Sequence, residues 1–395
     1  MQEKVLRAPG MVSIVATFAS VIASLSLLIP ASPAWVAFGG AGSTGAGSVT
    51  ATLMAVTVAT QLFAVRALLA RFGWAKTLVA GTLLMGLGSP LQVISPDLTL
   101  ALLSSALRGI GFGIVTVCGS TALSILIPAA QRGRAVGIYG LAAAIPQMIL
   151  TPSAPWLIEV LGFRAVLTLG VVAVFGAPFA LHLGRIVDAR IAAAPAAEPD
   201  SQGGAGGIVR LIWPALLTLT LVTAAGGAFM TFAIDLAPTA LWASVALLCL
   251  TVMATPTRFW GGSLSDRFGT RVLMTPALAL AAVGMALVGW SVAAAGTPRL
   301  VLLVAGALLI GFGYGFLQSV TMVRALNDAG PTNNARASVA WNANFDVGTG
   351  LGGLAVGAMA QAVGFSAAWW IWAVLVVLAV AVMAMRDFRK PRQAT

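Results

Sequence analysis

An all-α fold embedded in a bilayer, built as two related halves of six helices each, is what this sequence predicts. Three observations lead there. The chain is 59% hydrophobic and only 8% charged over 395 residues. That leaves too few polar side chains to cover a soluble globule, whereas a lipid-facing surface needs none. The apolar residues fall into runs of about 20 to 25, long enough to cross a bilayer, and the charges lie almost entirely between those runs. Finally, one charged loop occurs twice, as Arg66-Ala67-Leu68-Leu69-Ala70-Arg71-Phe72-Gly73-Trp74-Ala75-Lys76 and as Gly262-Ser263-Leu264-Ser265-Asp266-Arg267-Phe268-Gly269-Thr270-Arg271, each between two apolar runs. Recurrence at matching places in two halves is the trace of an internal duplication.

The first six spans are read near 11–30, 47–69, 75–95, 98–126, 135–158 and 164–186. The first follows Lys4 and Arg7 and invites confusion with a signal peptide. Its apolar length exceeds the usual ~7 to 15 residues of a signal core, and removing it would unbalance the halves, so it is kept as a helix. The second set falls near 208–232, 239–262, 271–294, 299–324, 336–360 and 365–385. Between the sets, 188–207 is rich in Ala, Pro and Gly and buries too little surface to repay ordering, which makes it a flexible tether. The domains are therefore expected at 1–187 and 208–395, the second ending in a short basic tail. Cys118 and Cys249 both lie inside spans, so no disulfide framework is expected.

The net charge of +11 would suggest nucleic acid in a soluble protein, but the placement of the charges argues otherwise. With the N-terminus in the cytoplasm, Arg71, Lys76, Arg132, Arg134, Arg185, Arg190, Arg210, Arg267, Arg271, Arg324, Arg336 and the tail cations share that side, while Arg164 and Arg299 fall outside. This is the positive-inside asymmetry of a multi-pass protein among anionic headgroups. The partner it implies is the lipid bilayer, with both termini cytoplasmic; nucleic acid is not needed. Trp35, Trp156, Trp242 and Trp290 near outer ends, and Trp74, Trp213 and Trp260 near inner ends, read as interfacial anchors.

These features resemble the major facilitator superfamily over essentially the whole chain. In that family the loop after the second helix of each half reads roughly Gly-x-Leu-x-Asp-Arg-x-Gly-x-Arg/Lys. Gly262, Leu264, Asp266, Arg267, Gly269 and Arg271 match it position by position; the first copy keeps Leu68, Arg71, Gly73 and Lys76 but has Arg66 for Gly and Ala70 for Asp. Gly111-Phe112-Gly113 is echoed by Gly311-Phe312-Gly313, and Gly162-Phe163 by Gly364-Phe365. Arg108-x-x-Gly111-x-Gly113 is similar to the family's fourth-helix motif, associated with proton coupling. The fifth-helix antiporter signature is poorly kept at Thr151-Pro152-Ser153-Ala154-Pro155, and Gly348, Gly350, Gly352 and Gly353 enrich the eleventh helix, where close packing is the plain reading. The resemblance implies two six-helix bundles related by a pseudo-two-fold axis and a secondary transporter working by alternating access. It also implies a conformational latch of Gly262, Asp266, Arg267, Gly269 and Arg271, with Arg71 in the first copy and Arg258 near the inner end of the same helix as Asp266.

Among the charged residues, Arg108 and Asp346 lie about ten positions inside a span. A charge at the bilayer centre costs on the order of 2.5 to 3.5 kcal/mol on insertion scales, so each should face a cavity or a partner. Asp346 is the candidate proton carrier, alternating between protonated and ionised states, and Arg108 is a candidate for an anionic substrate group or for pairing with a carboxylate. Tyr314 and Gln318 stand four apart on one helix face, Tyr139 and Gln147 eight apart, and Trp341, Asn342 and Asn344 flank Asp346. By the family's pattern these are candidate walls of a central cavity.

The expected function is secondary transport of a small organic solute, coupled to protons, with efflux preferred. Uptake of a metabolite, or of a soft metal such as copper through Cys249, Met253 and Met230, is the alternative, although core packing accounts for the methionines. A non-transporting sensor or an integral-membrane enzyme is the reading from another class; the sequence carries no acid–base cluster, metal-ligand set or nucleophile elbow for the latter. No cofactor and no metal are expected, and the composition fits a bacterial inner membrane.

Overall fold

The computed structural model describes residues 8–193, 206–293 and 297–389. Their regular structure is entirely helical. In order the helices are α1 (Met11–Phe38), α2 (Gly42–Ala59), α3 (Val65–Leu87), α4 (Leu98–Leu126), α5 (Ala129–Leu161), α6 (Phe163–Leu169) and α7 (Ala177–Ala192). They continue as α8 (Gly206–Leu236), α9 (Ala240–Phe268), α10 (Thr270–Ala293), α11 (Thr297–Ala329) and α12 (Asn334–Arg389). A π-turn, Thr60–Ala64, joins α2 to α3 without a break, and a 3₁₀ segment, Gly170–Gly176, joins α6 to α7. Lys4, Arg7, most of the expected tether and the end of the tail lie outside the described residues.

Ten stretches among the described residues are long and apolar enough to cross a membrane. Two of them, Gly42–Val93 and Arg336–Met383, are 52 and 48 residues long, and each is interrupted by one glycine, Gly73 (φ 73°, ψ 175°) or Gly364 (φ 82°, ψ 158°). The hydropathy pattern predicts a loop at each of these points; the structure uses a single reversed residue. An ordinary helix of 50 residues rises about 75 Å, more than twice a ~30 Å hydrocarbon core, so an interruption is a physical necessity for a membrane-embedded chain. The other edges differ more mildly. α1 runs on to Phe38 through Pro30 and Pro33, α2 begins at Gly42, and Asp188 to Ala192, read as tether, are the last residues of α7.

The chain forms two compact units, Met1–Ala41 with Thr52–Gln202, and Gly42–Ala51 with Gly203–Thr395. Unit 1 is cored by Met11, Ile14, Leu78, Ile114, Cys118, Leu183 and Val187, with Leu28, Trp35, Val166 and Leu167 in a second cluster. In unit 2, Ile208, Ile212, Leu216, Ala325 and Trp341 pack together. Lipid-like exposure falls where a membrane helix needs it: Phe63, Phe175, Trp260, Trp290 and Val301 are all more than half exposed. Trp35 and Trp74 are buried, so the anchor role expected for them gives way to packing. The Trp35 Nε1–H donates to the Gln92 carbonyl at 2.7 Å.

Glycine sets how closely the helices of each unit approach, and the two units do it alike. In unit 1, Gly109 and Gly113 on α4 leave room for the Leu53 and Thr57 carbonyls of α2, and Gly111 for Gly81 and Met85 of α3. In unit 2, Gly311 and Gly315 on α11 lie against the Leu250 and Ala254 carbonyls of α9, and Gly313 against Ala281 of α10. The structural counterparts are thus Gly109 and Gly311, Gly111 and Gly313, Gly113 and Gly315. The sequence pairing of the two Gly-Phe-Gly triplets is out of step by two residues. A short motif with glycine at every other position matches itself after a shift of two, and only the neighbours resolve the register.

Candidate functional site

Each unit places buried polar groups among apolar helices. In unit 1, Arg108 is 1% exposed on α4. Its Nη1 donates to the Ser32 hydroxyl of α1 at 3.4 Å, a long bond, while Nε and Nη2 have no partner. Gly88 permits this: a Cβ there would stand 3.2 Å from Arg108 Cγ. Next to it in sequence, the 3₁₀ turn Ser89–Val93 packs against α4 and carries Gln92, which is 0% exposed with both amide atoms unpartnered. The hydropathy pattern places Gln92 at the end of the span read near 75–95, where a neutral polar residue draws no notice; only the structure shows the 3₁₀ turn that buries it.

Tyr139 and Gln147 share α5. The Tyr139 ring stacks on Phe18 at 4.1 Å between centroids, and its hydroxyl abuts Gly119, where a Cβ would lie 2.8 Å away. The Tyr139 ring thus touches both α1 and α4, while Gln147 is half-buried.

In unit 2, Asp346 on α12 is 6% exposed. One turn earlier, Trp341 donates from Nε1 to the Thr321 hydroxyl of α11 at 3.0 Å. Asn344 donates to the Leu216 carbonyl at 2.9 Å and accepts from the Thr220 hydroxyl at 3.1 Å, fastening α12 to α8. Phe345 lies between the Trp341 and Tyr314 rings, 6.0 and 5.9 Å away. The Tyr314 ring seats over Gly226 of α8, and Gln318, one turn on, is 4% exposed with Nε2 unpartnered. Asn342 instead is exposed and bonds back to Ser338 O on its own helix at 2.8 Å. The structure thus joins Trp341, Asn344 and Phe345 of α12 to Tyr314 and Thr321 of α11 and to α8, buries Gln318 and Asp346 on α11 and α12, and leaves Asn342 exposed.

The glycine-rich run of α12 is helix packing. Gly348 and Gly352 lie against Thr220, Thr223 and Ala224 of α8, and Gly353 and Gly357 against Gly47 and Ser43 of the Gly42–Ala51 segment. Small residues bring membrane helices into backbone contact in this way.

The repeated loops share a geometry. Gly73 (φ 73°) and Gly269 (φ 80°) each reverse the chain, and Arg71 and Arg267 each lie over the following ring, Phe72 at 5.4 Å and Phe268 at 5.2 Å. Asp266 and Arg271 are exposed, and Gly262 has nothing within 4 Å of a Cβ. Arg258, two turns before Asp266, is half-buried, and its carbonyl accepts from the Ser319 hydroxyl of α11 at 2.5 Å. Where the first copy lacks an aspartate at Ala70, Asp188 at the end of α7 supplies a carboxylate. Its two oxygens accept from the Trp74 and Ala75 N–H groups at 3.0 and 3.2 Å, capping the helix that restarts after Gly73. Gly184 lets α7 come this close, facing Ala75 backbone. Another pair missed by sequence reading is Arg324 Nε with Asp328 Oδ2, 2.6 Å apart on α11 at a spacing of four. That spacing alone was enough to find it. No group of three or more His, Cys, Asp or Glu suited to a metal occurs among the described residues.

Comparison with known proteins agrees with this architecture. The family model described as Major Facilitator Superfamily matches residues 14–242 and again 215–395. The crystal structure of the nucleoside transporter NupG superposes with TM-score 0.76 at 14% identity, covering 96% of this chain and 99% of that one. A bacterial homologue of the human lysosomal transporter Spinster, inward-facing and occupied, gives 0.72 at 15% identity and 96% of each chain. A POT family transporter in complex with 5-aminolevulinic acid gives 0.71 at 12% identity and 97% of each. No match is found among curated proteins. With the family model covering nearly the whole chain and ten apolar helical stretches present, this protein belongs to the Major Facilitator Superfamily and is a multi-pass membrane transporter of the secondary kind, not an enzyme.

Proposed function

We propose that the chain is a proton-coupled carrier of a small organic solute that works by alternating access between residues 1–187 and 208–395, with solute leaving the cell as protons enter. Reading each of the two glycine-interrupted stretches as two crossings gives twelve; the cation asymmetry supports cytoplasmic termini, and the composition fits a bacterial inner membrane. The observation that carries the coupling is Asp346, a carboxylate 6% exposed in the middle of an apolar stretch. A buried acid in a membrane helix is costly unless it is used or partnered, and a carboxyl that gains and loses a proton carries one charge per cycle. Trp341, Asn344, Tyr314, Gln318, Tyr139 and Gln147 are the proposed wall of the solute path, with Asn342 at its margin. The loop residues Gly262, Asp266, Arg267, Gly269 and Arg271, with Arg258 and Arg71, form the latch, and Asp188 serves the first-half copy. Organic solutes in the names of similar structures, nucleosides and 5-aminolevulinic acid, support the solute class.

The test is proton movement in proteoliposomes holding a pH-sensitive dye, challenged with a library of drugs and metabolites. Coupled transport predicts that at least one compound dissipates an imposed pH gradient and that Asp346→Asn lowers that flux at least tenfold while the protein stays monodisperse. Undiminished coupling in Asp346→Asn would remove Asp346 from the proton path. Solute flux with no proton movement would make the protein a uniporter.

A further inference from the structure

Arg108 is a buried cation whose own unit leaves it half satisfied. The described acidic residues of unit 1 are all spent elsewhere: Asp97 caps α4 through the Thr99 and Leu100 N–H groups, Asp188 caps the helix after Gly73, and Glu159 is exposed. Asp97 is also eleven residues from Arg108 along α4, about 16 Å by helical rise. Of the guanidinium nitrogens, Nη1 is taken by Ser32, and the two without partners are Nε and Nη2. Those two N–H groups point the same way from one edge of the planar group, the fork that receives both oxygens of a carboxylate.

Two further side chains, one on the same helix and one on the turn packed against it, are buried with their polar atoms unmatched. Ser105, one turn before Arg108 on the same helix, is 0% exposed with an unpartnered Oγ. Gln92 is 0% exposed with unpartnered Nε2 and Oε1, on a turn that packs against α4 and is pinned by the Trp35 indole. Leaving a buried donor or acceptor unmade is expensive, and three such side chains in one region, with one positive charge among them, describe what would complete it. The missing piece is flat, singly negative, rich in acceptor oxygens and able to meet an amide. A phosphate dianion would call for a second cation, which these residues do not supply.

We propose that Arg108, Gln92 and Ser105 form a carboxylate subsite and that the transported solute is a small organic acid. This rests on the transport reading given above and narrows its substrate class. Arg108 takes the carboxylate through its side edge, Gln92 donates to a remaining lone pair, and Ser105 completes the oxygen shell.

The test is uptake into proteoliposomes of labelled carboxylates of two to seven carbons, lactate, pyruvate and gluconate among them, with nitrate, phosphate, glycerol and tetraphenylphosphonium as contrasts. The expected result is saturable uptake of at least one carboxylate by the native protein. Arg108→Lys keeps the charge but loses the fork, and should lower kcat/KM for that acid at least tenfold. Gln92→Leu removes an unmatched amide, so it should hold or raise thermal stability while lowering the same kcat/KM about tenfold. Transport confined to phosphate, nitrate, glycerol or the phosphonium cation overturns the carboxylate subsite and leaves the transporter standing. So does carboxylate uptake that neither variant changes. If the folded native protein moves none of these, nor any compound of the broader library, the coupled-carrier reading fails with it.

Discussion

Asp188 illustrates how a single side chain escapes sequence reading. Nothing at position 188 advertises a role, since its partners Trp74 and Ala75 are more than a hundred positions away and are backbone groups of unremarkable residues. Yet those two bonds satisfy N–H groups at a helix start, where no intrahelical acceptor exists. Asp188→Ala should destabilise the protein by about 0.5 to 2 kcal/mol, the usual worth of such a cap. Asp188→Asn, which keeps an acceptor oxygen, should lose less; equal losses, measured by thermal unfolding in detergent, would mean the carboxylate acts through its charge. The buried ionisable residues were legible because a charge inside an apolar run stands out. Gln92 and Ser105 were not, because neutral polar residues are common in membrane helices and only the packing shows which of them go unmatched.

At the scale of elements, hydropathy located the helices but not the way they end. Gly162 (φ 81°, ψ 159°) and Gly364 (φ 82°, ψ 158°) hold nearly identical backbone angles in a region that essentially only glycine adopts. Neither has an atom within 4 Å of where a Cβ would sit. Space is therefore not the obstacle, and Gly364→Ala should cost about 1 to 3 kcal/mol from backbone strain alone. Gly137, helical and equally open on α5, is the control: Gly137→Ala should stabilise by about 0.5 to 1 kcal/mol. Gly352→Ala belongs to a third class, because its methyl would run into the Ala224 carbonyl and force α12 off α8. Ranking the three by melting temperature separates strain, propensity and contact; Gly352→Ala should fall furthest.

For the whole molecule, the two halves were legible because composition, charge placement and a repeated loop agree. The assignment of Gly42–Ala51 to the second unit was not, since it depends on contacts with residues three hundred positions later. Orientation is open to direct measurement in a Cys118→Ser, Cys249→Ser background. Ser263→Cys, exposed in the last turns of α9, should react with a membrane-impermeant maleimide only in inside-out vesicles, and Glu159→Cys, near the end of α5, only in right-side-out ones. The opposite pattern would invert the topology. The π-turn at Thr60–Ala64 speaks to ancestry. Before it, matching residues of the halves stand 197 positions apart, Leu53 with Leu250 and Thr57 with Ala254; after it, Gly73 and Gly269 stand 196 apart. A π-turn holds one residue more than the α-turn it replaces, so the first half carries a single insertion, absorbed on the spot. Losing one residue from a helix ordinarily swings every later side chain by about 100°. Between Thr60 and Ala64 the same deletion is the repair rather than the lesion.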